Sequence, residues 1–177
     1  MNFANHIDSL GTKRRKNIVF LHRARHQFDH NTLILLYTAL AESHLNYAIA
    51  IYGHAPEYIL NRLQITQNEL IRALFKNSQE EHTDELYEKH KILKIKQLHT
   101  YRLLLTTRFH TFRETGNHQY ETTTRRYVLP TWTNEYGARL NAYAIPKLRN
   151  KINLQGEQIT LLNFMEFKAY VKNVITL

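Results

Sequence analysis

Residues 32–53, TLILLYTALAESHLNYAIAIYG, form the most apolar stretch of this 177-residue chain and decide its predicted fold. Apolar side chains cover most faces of a helix over 32–52, so we expect this helix to be buried in a protein core. Glu42 and His44 interrupt the stretch with polar groups, which argues against a membrane span. Gly53 is expected to stop the helix in the left-handed conformation. The sequence therefore predicts a mainly α protein built around this segment.

Helical periodicity continues on both sides of this stretch. A first helix is predicted over 4–28, and the run Asp29-His30-Asn31-Thr32 is expected to break it and to cap the next helix. Pro56 is typical of a helix's first turn, and the helix that it opens is predicted to reach Lys76. The inward face of that helix is expected to consist of Ile59, Leu60, Leu63, Leu70, Ile71 and Leu74.

Two further helices are predicted in the middle of the chain. Thr83 is expected to N-cap a short helix that ends near His90. A helix over 95–113 carries one apolar stripe, and Leu103 and Leu104 fall on its other side. We therefore expect this helix to pack on two faces.

Residues 114–157 differ in character because glycines and prolines punctuate them. We expect this segment to be irregular or short-stranded, with candidate strands at Tyr127-Val128-Leu129 and Arg139-Leu140. An amphipathic helix is predicted over 160–175. The chain is thus expected to form a bundle of about five to six helices with an appended extension, at 1–113 and 114–177.

The net charge of +9 is spread unevenly along the chain. Residues 1–30 hold six Lys or Arg against two acids, whereas residues 31–75 hold two against three. A basic globular chain suggests an anionic partner, nucleic acid before a membrane surface. The pattern therefore predicts a near-neutral core surrounded by basic elements.

The surplus in the first helix lies on one predicted face. The residues that lie away from its apolar stripe, or at the edge of that stripe, are Lys13, Arg15, Lys16, Arg23 and His26. A row of cations along a helix can follow nucleic-acid phosphates, so we expect these five residues to bind nucleic acid. The alternative is a solvated basic face. Arg14 and Arg25 fall toward the apolar side, where their stems snorkel or a partner is met.

Residues for catalysis are scarce. The chain has no cysteine, which excludes disulfides, Cys-ligated metals and a Cys nucleophile. Its three aspartates, none adjacent to another, are Asp8, Asp29 and Asp84. A two-metal polymerase or nuclease site needs clustered carboxylates, and no Gly-rich phosphate loop is present. We expect no catalytic site and no cofactor.

Three histidines are spaced four residues apart, at His22, His26 and His30. Histidines at this spacing can bind a metal ion. The run contains no glutamate, and Arg23 and Arg25 within it would repel a cation. We therefore expect no metal site.

Four groups of short motifs follow one another along the chain. The first comprises Leu36-Tyr37-Thr38-Ala39-Leu40, Ser43-His44-Leu45-Asn46-Tyr47-Ala48 and Ile51-Tyr52-Gly53. The second comprises Leu60-Asn61-Arg62-Leu63-Gln64-Ile65, Gln67 and Ile71-Arg72. The third comprises His82-Thr83, Leu86-Tyr87 and Lys91-Ile92-Leu93-Lys94-Ile95. The fourth comprises Thr124-Arg125, Leu129-Pro130, Thr133, Gly137, Leu140, Tyr143 and Phe167-Lys168.

This order resembles the region that follows the palm in non-LTR (LINE-like, jockey-type) retrotransposon reverse transcriptases. The family pattern has Gly where this chain has Ala48, Trp where it has Tyr52, and Trp-Asn where it has Arg149-Asn150. The resemblance implies a thumb-like bundle and a C-terminal extension that help to hold template RNA and primer DNA. The palm, with its metal-binding aspartates, and the fingers would lie upstream, so no catalytic residue is transferred.

We therefore expect a non-catalytic RNA/DNA-binding fragment whose partners are RNA or an RNA/DNA hybrid and the palm and fingers of a polymerase. No signal peptide is expected, because residues 1–6 lack an apolar run, and the predicted location is cytoplasmic or nuclear. One alternative is a helical protein–protein interaction module derived from a retroelement, with Leu103, Leu104, Arg14 and Arg25 at the interface. Another is a nuclease, which the shortage of clustered acids disfavours.

Overall fold

The computed structural model describes residues 4–75, 82–107, 127–131, 133, 141–152 and 163–176. These residues are mainly helical, which confirms the predicted fold class. Two compact units are present, a first unit within residues 1–99 and a second unit within residues 100–175. The described helices are α1 (Ala4–Ala24), α2 (His30–Tyr37), α3 (Ser43–Asn46), α4 (Ile49–Tyr52), α5 (Glu57–Phe75), α6 (Thr83–Lys89), α7 (Ile95–Thr107), α8 (Asn141–Ile152) and α9 (Phe164–Thr176).

The first helix is shorter than predicted. It ends at Ala24, and the Phe28 backbone N–H then bonds to the Ala24 carbonyl at 3.1 Å in a closing turn. Phe28 is exposed, although the periodicity had placed it with the core. Asp29 caps α2 as expected, because its carboxylate accepts from the Asn31 backbone N–H at 3.2 Å and from the Thr32 hydroxyl.

The apolar stretch 32–52 is helical but interrupted, which corrects the single helix predicted there. A π-helical turn, Thr38–Glu42, links α2 to α3, and the Ser43 hydroxyl donates to the Ala39 carbonyl at 2.5 Å. Such bonding back to the preceding turn bends helices. The break before α4 lies at Ala48, whose φ of 56° is left-handed. An L-residue with a Cβ is strained there.

Gly53 is not left-handed, contrary to the prediction. Its φ is −63°, so its backbone suits any residue. The absence of a side chain matters for another reason. A Cβ on Gly53 would lie 2.3 Å from Cδ2 of His99 and 2.5 Å from the carbonyl oxygen of Ile49.

α5 forms the centre of the first unit. All six residues predicted to face inward are buried. The apolar core around it contains Leu21, Ala24, Leu33, Tyr37, Ala41, Leu70, Ile71, Leu74, Phe75, Leu86, Tyr87 and Ile92. Burying a large apolar side chain stabilises by about 1.5–3 kcal/mol. α6 begins one residue earlier than predicted, with His82 as its N-cap and Thr83 in the first turn.

α7 has buried apolar residues on both predicted sides. Ile95 and Leu98 are buried in the first unit, and Leu103 and Leu104 are buried in the second. Residues 108–113, which were predicted to complete this helix, lie outside the described residues. None of the described helices combines the length and apolar character needed to cross a bilayer.

The second unit contains a helix that the sequence did not predict. α8 lies in the segment expected to be irregular and tolerates Pro146 in its interior. The strand predicted at 127–129 is not formed: Tyr127 makes an isolated bridge, and residues 128 and 129 have no regular secondary structure. The Asn150 amide accepts from the Tyr127 N–H at 2.8 Å and donates to the Tyr127 carbonyl at 3.0 Å. Residues 139–140 lie outside the described residues.

α9 confirms the predicted closing helix and has a capping box. Asn163 Oδ1 accepts from the backbone N–H of Glu166 at 2.9 Å, and Glu166 Oε2 accepts from the Asn163 N–H at 2.9 Å. Phe167 and Val171 are fully buried and pack with Leu104 and Leu105 in the core of the second unit.

Candidate nucleic-acid interface

The five residues predicted to bind nucleic acid all lie in α1 or directly after it. The backbone at Lys13, Arg15 and Lys16 is helical, but the positions of these side chains lie outside the described residues. Arg23 is exposed in the last turn of α1, and His26 is exposed in the turn that follows. Among the residues whose side chains are described, Arg23 forms no ion pair. That these five side chains form one nucleic-acid-binding face therefore remains a prediction.

The basic end of α1 leads into a cavity. Arg25, expected on the apolar side of α1, is half-buried, and its Nε donates to Nε2 of His26 at 3.0 Å. Both side chains line a cleft of about 490 Å³, which we call the basic cleft. Its lining comprises Arg25, His26, His30, Leu33, Leu74, Phe75, Lys89 and His90. Five of these residues carry or can acquire a positive charge, three are apolar, and none is acidic.

Two histidines meet at the centre of this lining. His30 Nε2 lies 3.3 Å from His90 Nδ1, and the ring centroids are 4.7 Å apart. The His90 ring also stacks on Phe75, with centroids 4.1 Å apart and an interplanar angle of 23°. One facing nitrogen must donate while the other accepts. The contact therefore holds one proton between the two rings.

Asp29, which directly precedes His30 in the sequence, is engaged in capping α2. The hydrogen bond from the Thr32 hydroxyl lowers the pKa of Asp29, and the carboxylate also accepts from the Asn31 backbone. Asp29 therefore stays ionised and caps α2 without lining the basic cleft.

A second polar cluster, which sequence reasoning missed, lies inside the first unit. Gln67 is fully buried in α5, and its Nε2 donates to the Tyr37 hydroxyl at 2.8 Å and to the Leu93 carbonyl at 2.9 Å. One turn earlier, Gln64 Nε2 donates to the Tyr87 hydroxyl at 2.8 Å, and Gln64 Oε1 accepts from the Ile95 N–H at 3.0 Å. We call this set the glutamine seam. It joins α2, α5, α6 and the segment leading into α7.

Tyr87, one of the two tyrosines of this seam, is held in its neutral form. Burial raises the pKa of Tyr87 far above its ordinary value, and its hydroxyl donates to Oδ1 of Asn68 at 2.8 Å. Beside it, Lys94 forms an ion pair with Asp84 at 2.8 Å and lies 5.6 Å from the centroid of the Tyr87 ring. A permanently protonated, hydrogen-bonded phenol of this kind supports packing and is not suited to proton transfer.

A second pair of histidines, His54 and His99, contrasts with the pair in the basic cleft. His99 packs edge-on against His54, with ring centroids 4.6 Å apart. Burial, reinforced by the neighbouring His54, lowers the pKa of His99 to about 4. His99 is therefore neutral near pH 7.

The described side chains are suited to recognising an anion. No three His, Asp or Glu residues among them come together as candidate metal ligands. The basic cleft instead combines cationic donors with an apolar floor. Comparison of the chain with models of protein families, with curated proteins and with solved structures finds no match.

Proposed function

We propose that this chain is a non-catalytic RNA/DNA-binding module corresponding to the thumb-side region of a non-LTR retrotransposon reverse transcriptase. The observation that supports this most directly is where the motif residues lie. Tyr37, Gln64, Gln67 and Tyr87 come from three separate motif groups and join in the glutamine seam. Residues that define a structural family are expected to converge in this way, because they hold its core together.

Positions where the chain departs from the family pattern support the same proposal. Ala48 stands where the pattern has Gly, and its φ of 56° lies in the region that glycine adopts most readily. Asn150 keeps the Asn of the pattern's Trp-Asn, and both the oxygen and the nitrogen of its side-chain amide form hydrogen bonds with the Tyr127 backbone. Arg149 stands where the pattern has Trp, and its guanidinium lies 4.4 Å from the centroid of the Tyr127 ring. The departures thus occupy sites with definite structural demands.

Binding is assigned to the basic end of the first unit. Lys13, Arg15 and Lys16 share α1 with the exposed Arg23, and the basic cleft adjoins the end of that helix. Clustered cations bind polyanions by releasing counterions, which gives affinity without sequence specificity. RNA or an RNA/DNA hybrid is the proposed ligand, and the palm and fingers of a polymerase are the proposed protein partner.

The test is fluorescence anisotropy with a labelled single-stranded RNA and an RNA/DNA hybrid over a series of salt concentrations. The triple variant Arg15→Glu, Lys16→Glu, Arg23→Glu should lose at least about tenfold in affinity and show a shallower salt slope, because each lost phosphate contact removes about 0.7–0.9 from that slope. A matched control, Arg72→Glu, Lys91→Glu, Lys96→Glu, changes the net charge equally on other elements. Equal affinity of the two triple variants would contradict the assigned face.

A second candidate function, a helical protein-interaction module, is favoured by exposed apolar side chains. In the first unit these include Val19, Phe20, Leu35, Tyr47, Ile51, Tyr58 and Ile65. Exposed apolar patches mark protein interfaces. Of the four interface residues proposed from sequence, Leu103 and Leu104 are instead buried, Arg25 is half-buried, and the Arg14 side chain lies outside the described residues. Sedimentation that shows self-association with rising concentration would favour this alternative, and a monomer at all concentrations would argue against it.

A further inference from the structure

We propose that the exposed face of α1 holds an unpaired RNA strand, with the Phe20 ring stacked on a base and Arg23 bound to a phosphate. This inference rests on the proposed function and narrows its ligand to single-stranded RNA. Phe20 is 52% exposed, and its neighbour Val19 is 58% exposed. By contrast, Leu21 and Ala24 on the same helix are buried. Two large apolar side chains therefore face solvent within a basic helix.

The spacing of residues along α1 brings a ring and cations together. Arg23 follows Phe20 by three residues, and Lys16 precedes it by four. Residues at these spacings are neighbours on a helix surface, with Cβ atoms about 5–6 Å apart. Side chains also lean toward the N-terminus of a helix, so the Arg23 side chain leans toward Phe20. A ring with a cation one turn away matches one nucleotide, whose base and phosphate are joined through a sugar.

The charge of this face favours an anionic occupant. Arg23 is exposed and forms no ion pair among the described side chains. Asp8 is the only acidic residue in α1, and its carboxylate lies 3.3 Å from Nη1 of Arg62 on α5. An exposed aromatic ring beside exposed cations is the combination by which proteins bind single strands without sequence preference.

Stacking distinguishes an unpaired strand from a duplex. In a duplex the bases stack on one another, and only their edges are accessible in the grooves. A ring on the convex surface of α1 therefore cannot cover the face of a paired base. Bases of a single strand can be splayed out and stacked on aromatic side chains. Phosphates are present in both forms, so Phe20 and not Arg23 provides the discrimination.

The core of the first unit holds α1 in place beneath this ring. Leu21 and Ala24 pack in that core, and Asn17 Nδ2 donates to the Leu40 carbonyl at 3.3 Å. Leu21 follows Val19 by two residues, which places it nearly opposite on a helix with about 3.6 residues per turn. The exposed face is therefore formed before the ligand arrives, and a preformed site loses less entropy on binding.

Tyr58 on α5 provides a matched control. Its ring is more exposed than that of Phe20, at 68%. The cations near it are engaged with carboxylates, because Arg62, four residues later, pairs with Asp8. Lys96 likewise pairs with Glu57, the residue before Tyr58, at 2.5 Å. Tyr58→Leu thus removes an exposed ring that the proposed site does not contain.

The experiment is fluorescence anisotropy of the full chain with two end-labelled probes of equal charge. One is an oligoadenylate RNA of about eight nucleotides, and the other is an abasic sugar–phosphate oligomer of the same length. The wild type should bind the oligoadenylate at least about fivefold more tightly, because base stacking adds to the phosphate contacts that both probes offer. Phe20→Leu should bind the two probes alike, whereas Tyr58→Leu should keep the preference.

A blunt-ended RNA/DNA hybrid tests the discrimination against paired bases. Its affinity should change by less than about twofold in Phe20→Leu, because the hybrid has no unpaired base to stack on the ring. Circular dichroism checks the folding of each variant.

Phe20→Trp is the conservative variant and reports on stacking directly. It should keep the preference for oligoadenylate, and its indole fluorescence should be quenched by oligoadenylate but not by the abasic oligomer. The wild type, whose single tryptophan is Trp132, gives the background signal.

Equal binding of the two probes by the wild type, or equal losses in Phe20→Leu and Tyr58→Leu, would overturn the stacking site. The proposed function would then stand, because phosphate contacts alone would account for the binding. A wild type that binds neither probe nor the hybrid would overturn the proposed function together with this inference. A Phe20→Leu chain that keeps its RNA affinity but loses self-association in sedimentation would assign the face to a protein partner and would also overturn the inference.

Discussion

The glutamine seam and the basic cleft both belong to the first unit, yet they are built from different kinds of residue. The seam is largely buried, its glutamines and tyrosines bond to one another, and its members are motif residues. The basic cleft is open to solvent, gathers like charges, and contains no residue of the motifs. The difference shows that the motif pattern reports how the chain packs. The proposed binding depends instead on residues that lie outside the motifs.

The two regions also differ in their effect on stability. Hydrogen bonds in the interior are stronger than those exposed to water and help to specify a single packing. Clustered cations and imidazoles repel one another and lower stability unless an anion is bound. Changes in the seam should therefore alter folding, and changes in the basic cleft should mainly alter binding. The first of the three predictions below tests this division, and the three run from the largest expected effect to the smallest.

Replacing Gln67 with Leu should destabilise the fold by about 2–3 kcal/mol, because Tyr37 and Leu93 lose a buried donor. The effect is limited because Gln67 Oε1, which is buried without a hydrogen-bond partner in the described residues, is removed as well. Urea denaturation measures the change. Asn61→Leu on the exposed face of α5 is the control and should change stability by less than about 0.5 kcal/mol. A Gln67→Leu variant as stable as the wild type would show that the hydrogen bonds of the glutamine seam do not stabilise the fold.

Acid should weaken the fold through His99, the histidine kept neutral by burial. Its pKa in the folded chain is about 4, below the ordinary 6.5. Between pH 6.5 and 4 the unfolded chain therefore takes up a proton that the folded chain refuses, and stability falls as pH decreases. We expect His99 to account for a loss on the order of 2 kcal/mol over this window.

The comparison variant is His99→Gln, which cannot titrate. Urea midpoints at pH 7.5 and 4.5 should differ less in this variant than in the wild type. His30→Gln serves as the contrast, because His30 is exposed. Identical pH dependence in wild type and His99→Gln would show that the buried histidine does not govern acid stability.

Ala48→Gly should stabilise the chain by about 0.5–1 kcal/mol, the smallest of the three effects. Left-handed backbone costs an L-residue about 1–2 kcal/mol, and the greater freedom of glycine in the unfolded chain offsets part of that gain. Thermal melting followed by circular dichroism measures the change. The control Ala50→Gly lies within α4, where glycine should destabilise. If Ala48→Gly is destabilised as Ala50→Gly is, then Ala48 is not held in the left-handed conformation.

The sequence predicted the inward face of α5 because six apolar residues repeat at helical spacing. It did not predict Gln67, although the signal was present. Gln67 follows Leu63 by four residues and precedes Leu70 by three, so it occupies the apolar face. A polar residue at such a position must find buried partners, but the partners come from distant segments that periodicity cannot identify.

The basic cleft and α8 were missed for different physical reasons. His30 and His90 are 60 residues apart in the chain, and only tertiary packing brings them together. α8 was hidden by Pro146, because a proline inside a helix costs about 3 kcal/mol and usually signals a break. Buried side chains such as Ile145 on the same helix indicate that packing offsets this cost. Both the meeting of His30 and His90 and the formation of α8 depend on long-range packing, which the local sequence pattern does not predict.

The close approach of Gly53 to the His99 ring has a consequence for the history of this chain. A side chain cannot appear at position 53 until the ring at position 99 has become smaller or moved, and the Ile49 carbonyl restricts the same space. Neither position is therefore free to drift alone. Among descendants of a common ancestor, substitutions at these two sites should appear as a correlated pair, with the change at 99 preceding the change at 53.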